Sequence, residues 1–121
     1  MIDANKIVRE ILETIDGVTV TFYHPGKFNK LPVISYYEIA TSTGLCYDNA
    51  EQGQKTYIAI DIWGKGGGEC SRLAIKADAV MQKDGWYREL SKDMPKETEG
   101  KVTVCHKHMR FYKQIFFERN D

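Results

Sequence analysis

Apolar residues recur at helical spacing in two parts of the chain, which predicts two amphipathic helices. The first predicted helix covers Asp3 to Ile15 and the second covers Glu69 to Lys83. Asp3 is a suitable N-cap for the first helix, and Gly17 is suited to end it. Each helix has one apolar face, so each is expected to pack against a sheet. The apolar faces consist of Ile7, Val8, Ile11, Leu12 and Ile15, and of Leu73, Ala77, Val80 and Met81.

Runs of β-branched, aromatic and alternating residues predict four to five strands. Thr19–Tyr23 is a short run of this type, and Pro32 introduces a second strand from Val33 to Ala40. Gln54–Trp63 alternates most regularly, with its isoleucines on one side. The remaining predictions are a short extended piece at Trp86 and Tyr87 and a strand or strand pair over Val102–Phe117.

Two polar stretches, Thr41–Gly53 and Ser91–Gly100, are predicted to be exposed loops, because they contain few apolar residues. There is no internal repeat and no internal linker, so residues 1–121 are expected to form a single domain. The order of helices and strands predicts an α+β fold. Its mostly antiparallel sheet would have four to five strands, with two helices packed on it.

Charge and cysteine content narrow the function classes. The chain carries 17 basic and 17 acidic residues, which gives no general electrostatic reason to bind nucleic acid or an anionic membrane. We therefore expect no membrane partner and no sequence-specific nucleic-acid partner. The cysteines, Cys46, Cys70 and Cys105, are odd in number and widely spaced. They are typical of reduced thiols in a cytosol, and the first residues lack the pattern of a signal peptide.

The net charge of zero is the sum of segments whose own net charges differ in sign. Residues Met1–Ser71 include 6 basic and 9 acidic side chains, whereas Lys101–Asp121 include 5 basic and 2 acidic ones. Opposite patches on one subunit favour head-to-tail contacts between copies, and such contacts can close into rings.

The glycine-rich turn Gly64–Gly68 lies between a predicted strand and a predicted helix, where a phosphate-binding loop would lie. It lacks the Gly-Lys-Ser/Thr ending of a Walker loop, and Glu69 occupies the place of the third glycine of a dinucleotide-binding motif. We therefore interpret it as a flexible turn, and we expect no cofactor.

A second candidate site is the segment Cys105-His106-Lys107-His108. On a strand, His106 and His108 share one face and Cys105 lies on the other. Closed zinc sites usually have tight Cys/His pairs, and no second pair occurs in the chain. We therefore expect exposed strand histidines, no metal ion and no catalytic residue.

Aromatic residues occur on both sides of several predicted strands. Two alternatives fit this pattern: one face of the sheet is a protein interface, or the two helices cover both faces. The candidate interface residues are Tyr36, Tyr57, Trp63, His106, His108, Arg110 and Tyr112.

The layout from Ile7 to Phe117 resembles that of the tail-completion proteins of tailed bacteriophages and prophages, also called tail-terminator or head-tail joining proteins. The resemblance rests on four features in order. They are the amphipathic first helix, the proline-introduced strand Leu31–Tyr36, the strand Tyr57–Trp63 followed by a small-residue turn and the helix Ser71–Lys83, and the late strand His108–Phe111.

The resemblance implies a structural protein without enzymatic activity, made in the bacterial cytoplasm and located in the virion tail. It implies a homo-oligomeric ring, commonly a hexamer, that ends the tail tube and contacts tail-tube and head-connector proteins. One alternative is a small cytosolic ligand-binding or metal-dependent enzyme domain that uses the Gly64–Gly68 turn with His106 and His108. The other alternative is a monomeric interaction or immunity module.

Overall fold

The described part of the chain contains two helices and five strands, which confirms the α+β prediction. The computed structural model describes residues 1–28, 30–47 and 50–117. Along the chain the elements are α1 (Ala4–Leu12), β1 (Thr19–Phe22), β2 (Val33–Tyr47), β3 (Ala50–Gly64), α2 (Gly67–Lys83), β4 (Tyr87–Glu99) and β5 (Val102–Phe116).

The five strands form one sheet in the order β1-β2-β3-β5-β4. β1 is parallel to β2, and every other neighbouring pair is antiparallel. β5 inserts between β3 and β4 because α2 crosses the sheet and delivers β4 to the edge. The two central strands, β3 and β5, therefore come from distant parts of the sequence.

Both helices pack on the same face of the sheet. Val8 and Leu12 of α1 and Ala77 and Met81 of α2 are fully buried there. α1 begins after the N-cap Asp3, whose side chain accepts a hydrogen bond from the Lys6 amide. The same core includes the strand residues Ile34, Tyr36, Ile58, Ile60, Ile62, Met109 and Phe111.

The prediction of a loop over Thr41–Gly53 is wrong for the described residues, because β2 continues to Tyr47 and β3 begins at Ala50; residues 48 and 49 of the predicted loop lie outside the described residues. Polar side chains at the start of this stretch and in the adjoining part of β3 bond to one another. The Gln54 amide nitrogen lies 2.8 Å from the hydroxyl of Thr56, and the Thr41 and Thr56 hydroxyls are 3.1 Å apart. Buried polar groups that satisfy one another fit a strand as well as a loop.

The prediction of a loop over Ser91–Gly100 is also wrong, since β4 continues to Glu99. β4 lies at the edge of the sheet and pairs only with β5, so it tolerates a polar sequence. Pro95 falls within the register shift between Met94 and Glu97, a position where a proline is compatible with an edge strand.

The helix boundaries differ slightly from the prediction. α1 ends at Leu12 rather than Ile15, although Ile15 is still buried in the core. α2 begins at Gly67, two residues before the predicted start. Neither helix in the described part of the chain is long and apolar enough to cross a membrane.

Candidate functional site

The face of the sheet opposite the helices, called here the outer face, carries most of the chemistry predicted from the sequence. Because both helices pack on one side, the alternative that they cover both faces is wrong. The strand registers arrange the outer-face side chains of β2, β3, β5 and β4 in rows. These rows are Ala40, Tyr57, Tyr112 and Tyr87; Tyr37, Ala59, Arg110 and Leu90; Ser35, Asp61, His108 and Lys92; and Val33, Trp63, His106 and Met94.

A buried carboxylate between two histidines lies at the centre of this face. Oδ1 of Asp61 is 2.6 Å from Nε2 of His106 and 2.7 Å from Nδ1 of His108. The three side chains are only 10–12% exposed. Burial by itself raises the pKa of Asp61, but the hydrogen bonds from both histidines outweigh burial and hold the pKa below its ordinary value. Asp61 is therefore an ionised acceptor that joins β3 to β5.

The neighbouring arginine fixes the tautomer of one histidine. Nε of Arg110 donates to Nε2 of His108 at 3.0 Å, so that ring nitrogen is an acceptor. The proton of His108 is then on Nδ1, where it is donated to Asp61. Arg110 itself is exposed, and its alignment by His108 directs it along the outer face.

An aromatic cluster continues from this network toward the β1–β2 connection. The rings of Trp63 and His106 are stacked with centroids 3.7 Å apart, and Nε1 of Trp63 donates to the hydroxyl of Ser35 at 3.1 Å. His24 and Phe28 contact the other side of Trp63, with centroids at 5.0 and 5.1 Å. The connection is thereby held against the sheet.

A row of tyrosines crosses the opposite end of the outer face. The ring of Tyr112 lies 6.0 Å from that of Tyr57 and 5.4 Å from that of Tyr87. Nζ of Lys55 is 5.5 and 5.1 Å from the rings of Tyr57 and Tyr112, a cation–π arrangement. Tyr87, at the edge, is 63% exposed.

Six of the seven predicted interface residues lie together on the outer face. Tyr36 does not, because it points to the opposite side and is buried in the core under the helices. The prediction that His106 and His108 share a face is confirmed, but the prediction that they are exposed is wrong. Asp61 is not among the residues that the sequence predicts for this site. The available signal was the one acidic residue in the most regularly alternating strand, Gln54–Trp63, where a buried carboxylate requires partners.

The side chain of Glu69 forms a hydrogen bond within the glycine-rich turn Gly64–Gly68. Oε1 of Glu69 accepts a hydrogen bond from the Lys65 amide at 3.1 Å. A cleft of about 310 Å³ adjoins the turn, and its lining includes Gly67, Cys70, Lys96 and His106. Burial raises the pKa of the Cys70 thiol to about 11, with a smaller contribution from Cys105, so Cys70 is a thiol at neutral pH.

Comparison with known proteins adds no family assignment. No protein-family model matches the chain, and no curated protein matches it. Among the described residues, no group of three or more histidine, cysteine or acidic side chains is arranged to hold a metal ion. The candidate site therefore consists of an anchored ionic network, a tyrosine row and an exposed arginine on an uncovered face.

Proposed function

We propose that this chain is a structural protein of a tailed bacteriophage or prophage, which forms a homo-oligomeric ring at the end of the tail tube and joins the tail to the head. In this proposal the ring is a hexamer located in the virion tail, its partners are the tail-tube and head-connector proteins, and it has no enzymatic activity. The layout of helices and strands described above supports this function.

The observation that carries the proposal is the outer face. Tyrosine and arginine are among the residues most enriched at the centres of protein interfaces, and both occur on this surface, whereas Trp63 is 2% exposed and packs within the subunit. The tyrosine row extends to the exposed Tyr87, and Arg110 lies next to it. Soluble monomers rarely leave large apolar patches uncovered, which favours a protein partner on this face.

The charge distribution favours contacts between unlike surfaces. Residues 1–17, which include α1, carry four acidic and two basic side chains, and α1 lies on the helix side. The outer face carries the cations Lys55, Lys92 and Arg110, while the carboxylate of Asp61 is occupied by two histidines. α2, on the same side as α1, carries three basic and two acidic side chains, so the acidic patch is confined to α1. A contact between unlike patches of neighbouring copies is heterologous, and such contacts can close into rings.

The experiment is to measure the mass of the purified protein by analytical ultracentrifugation and to image it by electron microscopy, alone and mixed with tail tubes. A ring of about six copies, in solution or on the tube end, is the expected result. Arg110→Glu, on the outer face, should weaken binding of the ring to tail tubes, whereas Arg72→Glu, on the exposed surface of α2, should not. Protein that stays monomeric at high concentration and forms no ring on tubes would contradict the proposal.

A ligand-binding domain is the second candidate, and one observation favours it: Gly67 and His106 line the same cleft, together with Lys96. A small anion could bind to Lys96 in this cleft, whose lining also includes the carboxylate of Asp93, paired with Lys107. Titration calorimetry with inorganic phosphate tests it, and binding heat that disappears in Lys96→Gln is the expected result. Absence of binding heat in the unmodified protein would remove this candidate.

A further inference from the structure

Most of strand β2 has an open edge. β1 pairs with β2 only from Val33 to Tyr36. Beyond Tyr36, no strand in the described part of the chain lies on that side of β2, although β2 continues to Tyr47. The backbone groups of residues 37–47 on this side are therefore available to another strand. We call this segment the open edge.

The end of β1 is fixed by the backbone. The amide of Tyr23 makes a last bond to the carbonyl of Tyr36 at 2.8 Å. Tyr23 has a φ of 70°, in the left-handed region that non-glycine residues seldom adopt. Its ring lies 4.9 Å from that of Tyr37, at the start of the open edge. β1 therefore turns away at this point and does not extend along β2.

The two edges of the sheet differ in their protection. β4 has charged residues throughout and Pro95 near its middle, which are features that restrict pairing at edges. Register shifts occur in both edge strands, two in β4 and three in β2, so they do not distinguish the two edges. The open edge has no proline, and Glu38 is its one charged residue. An edge of this length with so little charge is expected to be covered in the assembled protein.

Exposed apolar side chains adjoin both edges. Phe22, Tyr23 and Ile39, beside the open edge, are 56%, 62% and 41% exposed. At the opposite edge of the sheet, Tyr87 at the start of β4 is exposed to a similar extent. Pairing of the two edges would cover these groups with parts of the neighbouring copy, and burial of their apolar surface would stabilise the contact.

We propose that the open edge of β2 pairs with the first part of β4, Tyr87–Met94, from a neighbouring copy, so that the sheets join head to tail around the ring. This inference rests on the proposed function and specifies the contact that builds the ring. The occupant is a second copy of this chain, and Pro95 sets the end of the segment that can pair.

Strand direction supports this pairing. β2, β3, β5 and β4 alternate in direction, so β4 runs opposite to β2. Copies related by rotation about an axis parallel to the strands keep the same strand direction, and the two strands then meet antiparallel without any inversion. β1 occupies the position beside Val33–Tyr36, so the incoming strand must pair beyond it. Neighbouring sheets are thereby staggered along their strands, as closure of a sheet requires.

The experiment uses the native Cys46, an exposed residue near the end of the open edge. A second cysteine is introduced into β4 as Arg88→Cys, Leu90→Cys or Lys92→Cys, and the assembled protein is treated with a short bismaleimide cross-linker. Cys105, which is partly exposed, is replaced by serine in every variant, so that the accessible thiols of each copy are one on each edge. The expected result is a ladder of covalent oligomers up to the full ring, lost when Cys46→Ser is added. Lys76→Cys, on the exposed side of α2, should give no ladder.

The outcomes separate this inference from the proposed function. Rings that give no ladder from any β4 position overturn the edge pairing and leave the ring intact as a proposal. A covalent dimer formed by the native chain through Cys46 alone indicates pairing of β2 with β2 about a two-fold axis, which also overturns it. Absence of both rings and ladders contradicts the inference and the proposed function together.

A charge on the open edge provides a second measurement. Ile39→Lys places a cation where a strand should pair, and Ile75→Lys is a matched control on the surface of α2, where the isoleucine is 70% exposed. The first variant should raise the concentration needed for half-assembly about tenfold or more, and the second should leave it unchanged. Equal effects of the two variants would overturn the proposal.

Discussion

Removal of the Asp61 carboxylate is expected to destabilise the fold strongly. In Asp61→Ala, His106 and His108 lose the acceptor that both contact within 2.7 Å. Their ring N–H groups are then left in a site where the side chains are only 12% and 10% exposed. Water has little access to replace the lost acceptor, so the cost of the unpaired donors is retained in the folded state.

The magnitude follows from the number and type of bonds lost. A hydrogen bond to a charged group contributes about 1.5–3 kcal/mol, and removing one partner of a buried ionic pair costs about 3–5 kcal/mol. We therefore expect Asp61→Ala to lower the free energy of unfolding by about 3–5 kcal/mol. Asp61→Asn keeps an acceptor oxygen but loses the charge, so it should lose roughly half as much, because neutral hydrogen bonds are about half as strong.

The assay is urea denaturation at several pH values. The pKa of Asp61 is depressed in the folded protein, so its carboxylate stabilises the fold above the unfolded pKa, which is about 3.9. That contribution is lost as the pH falls through the lower folded value. The difference in unfolding free energy between the native chain and Asp61→Asn should therefore be complete at neutral pH and should decrease below about pH 4.

A control defines what would refute the reasoning. Asp93 forms a 3.5 Å ion pair with Lys107 but is 86% exposed, so Asp93→Ala should change the unfolding free energy by less than about 1 kcal/mol. If Asp61→Ala costs no more than this control, the network does not stabilise the central strands. A difference between the native chain and Asp61→Asn that does not change with pH would show that the charge of Asp61 is not the cause.

Two further pairs of predictions follow from local geometry. Gly53→Ala should lower the unfolding free energy by about 1–3 kcal/mol in urea denaturation, because a Cβ there would lie 2.7 Å from a carbonyl oxygen of β5. Gly67→Ala should raise it by about 0.5–1 kcal/mol, since the helical site is open and alanine restricts the unfolded chain. With iodoacetamide at pH 8, Cys46 should be alkylated at least about a hundred times faster than Cys70, because a thiol with a pKa of about 11 is only about one thousandth ionised. Equal rates, read by peptide mass spectrometry, would contradict the burial of Cys70.

The sequence predicts the helices and the regular strands well, because their apolar periodicity is strong. It fails where polar residues satisfy one another inside the sheet. Thr41 lies in a stretch that the sequence predicts as a loop, yet its hydroxyl is 3.1 Å from that of Thr56 within the sheet. The sequence does not predict the strand β4 for a different reason. β4 is an edge strand that pairs on one side, so it can form with a polar sequence.

Strand periodicity predicts that His106 and His108 share a face, but their contact with Asp61 depends on the order of the strands in the sheet. The two-residue alternation of β5 places His106 and His108 on one face without knowledge of the fold. Their contact with Asp61 requires β5 to lie beside β3, a pairing between segments that α2 and β4 separate in the sequence. No local pattern determines that order, so the burial of the histidines was not predictable.

Substitutions at the Asp61 network should affect the stability of the subunit, whereas substitutions at the open edge of β2 should affect assembly of the ring. The network joins the central strands β3 and β5, which neither edge contact disturbs, so its loss should unfold the subunit before it affects the ring. Ile39 contributes little to the core because it is partly exposed, so a charge there should disrupt the ring while the subunit stays folded. If Ile39→Lys instead lowered the unfolding free energy as much as Asp61→Ala, the open edge would be part of the folded core, and its role as a contact between copies would fail.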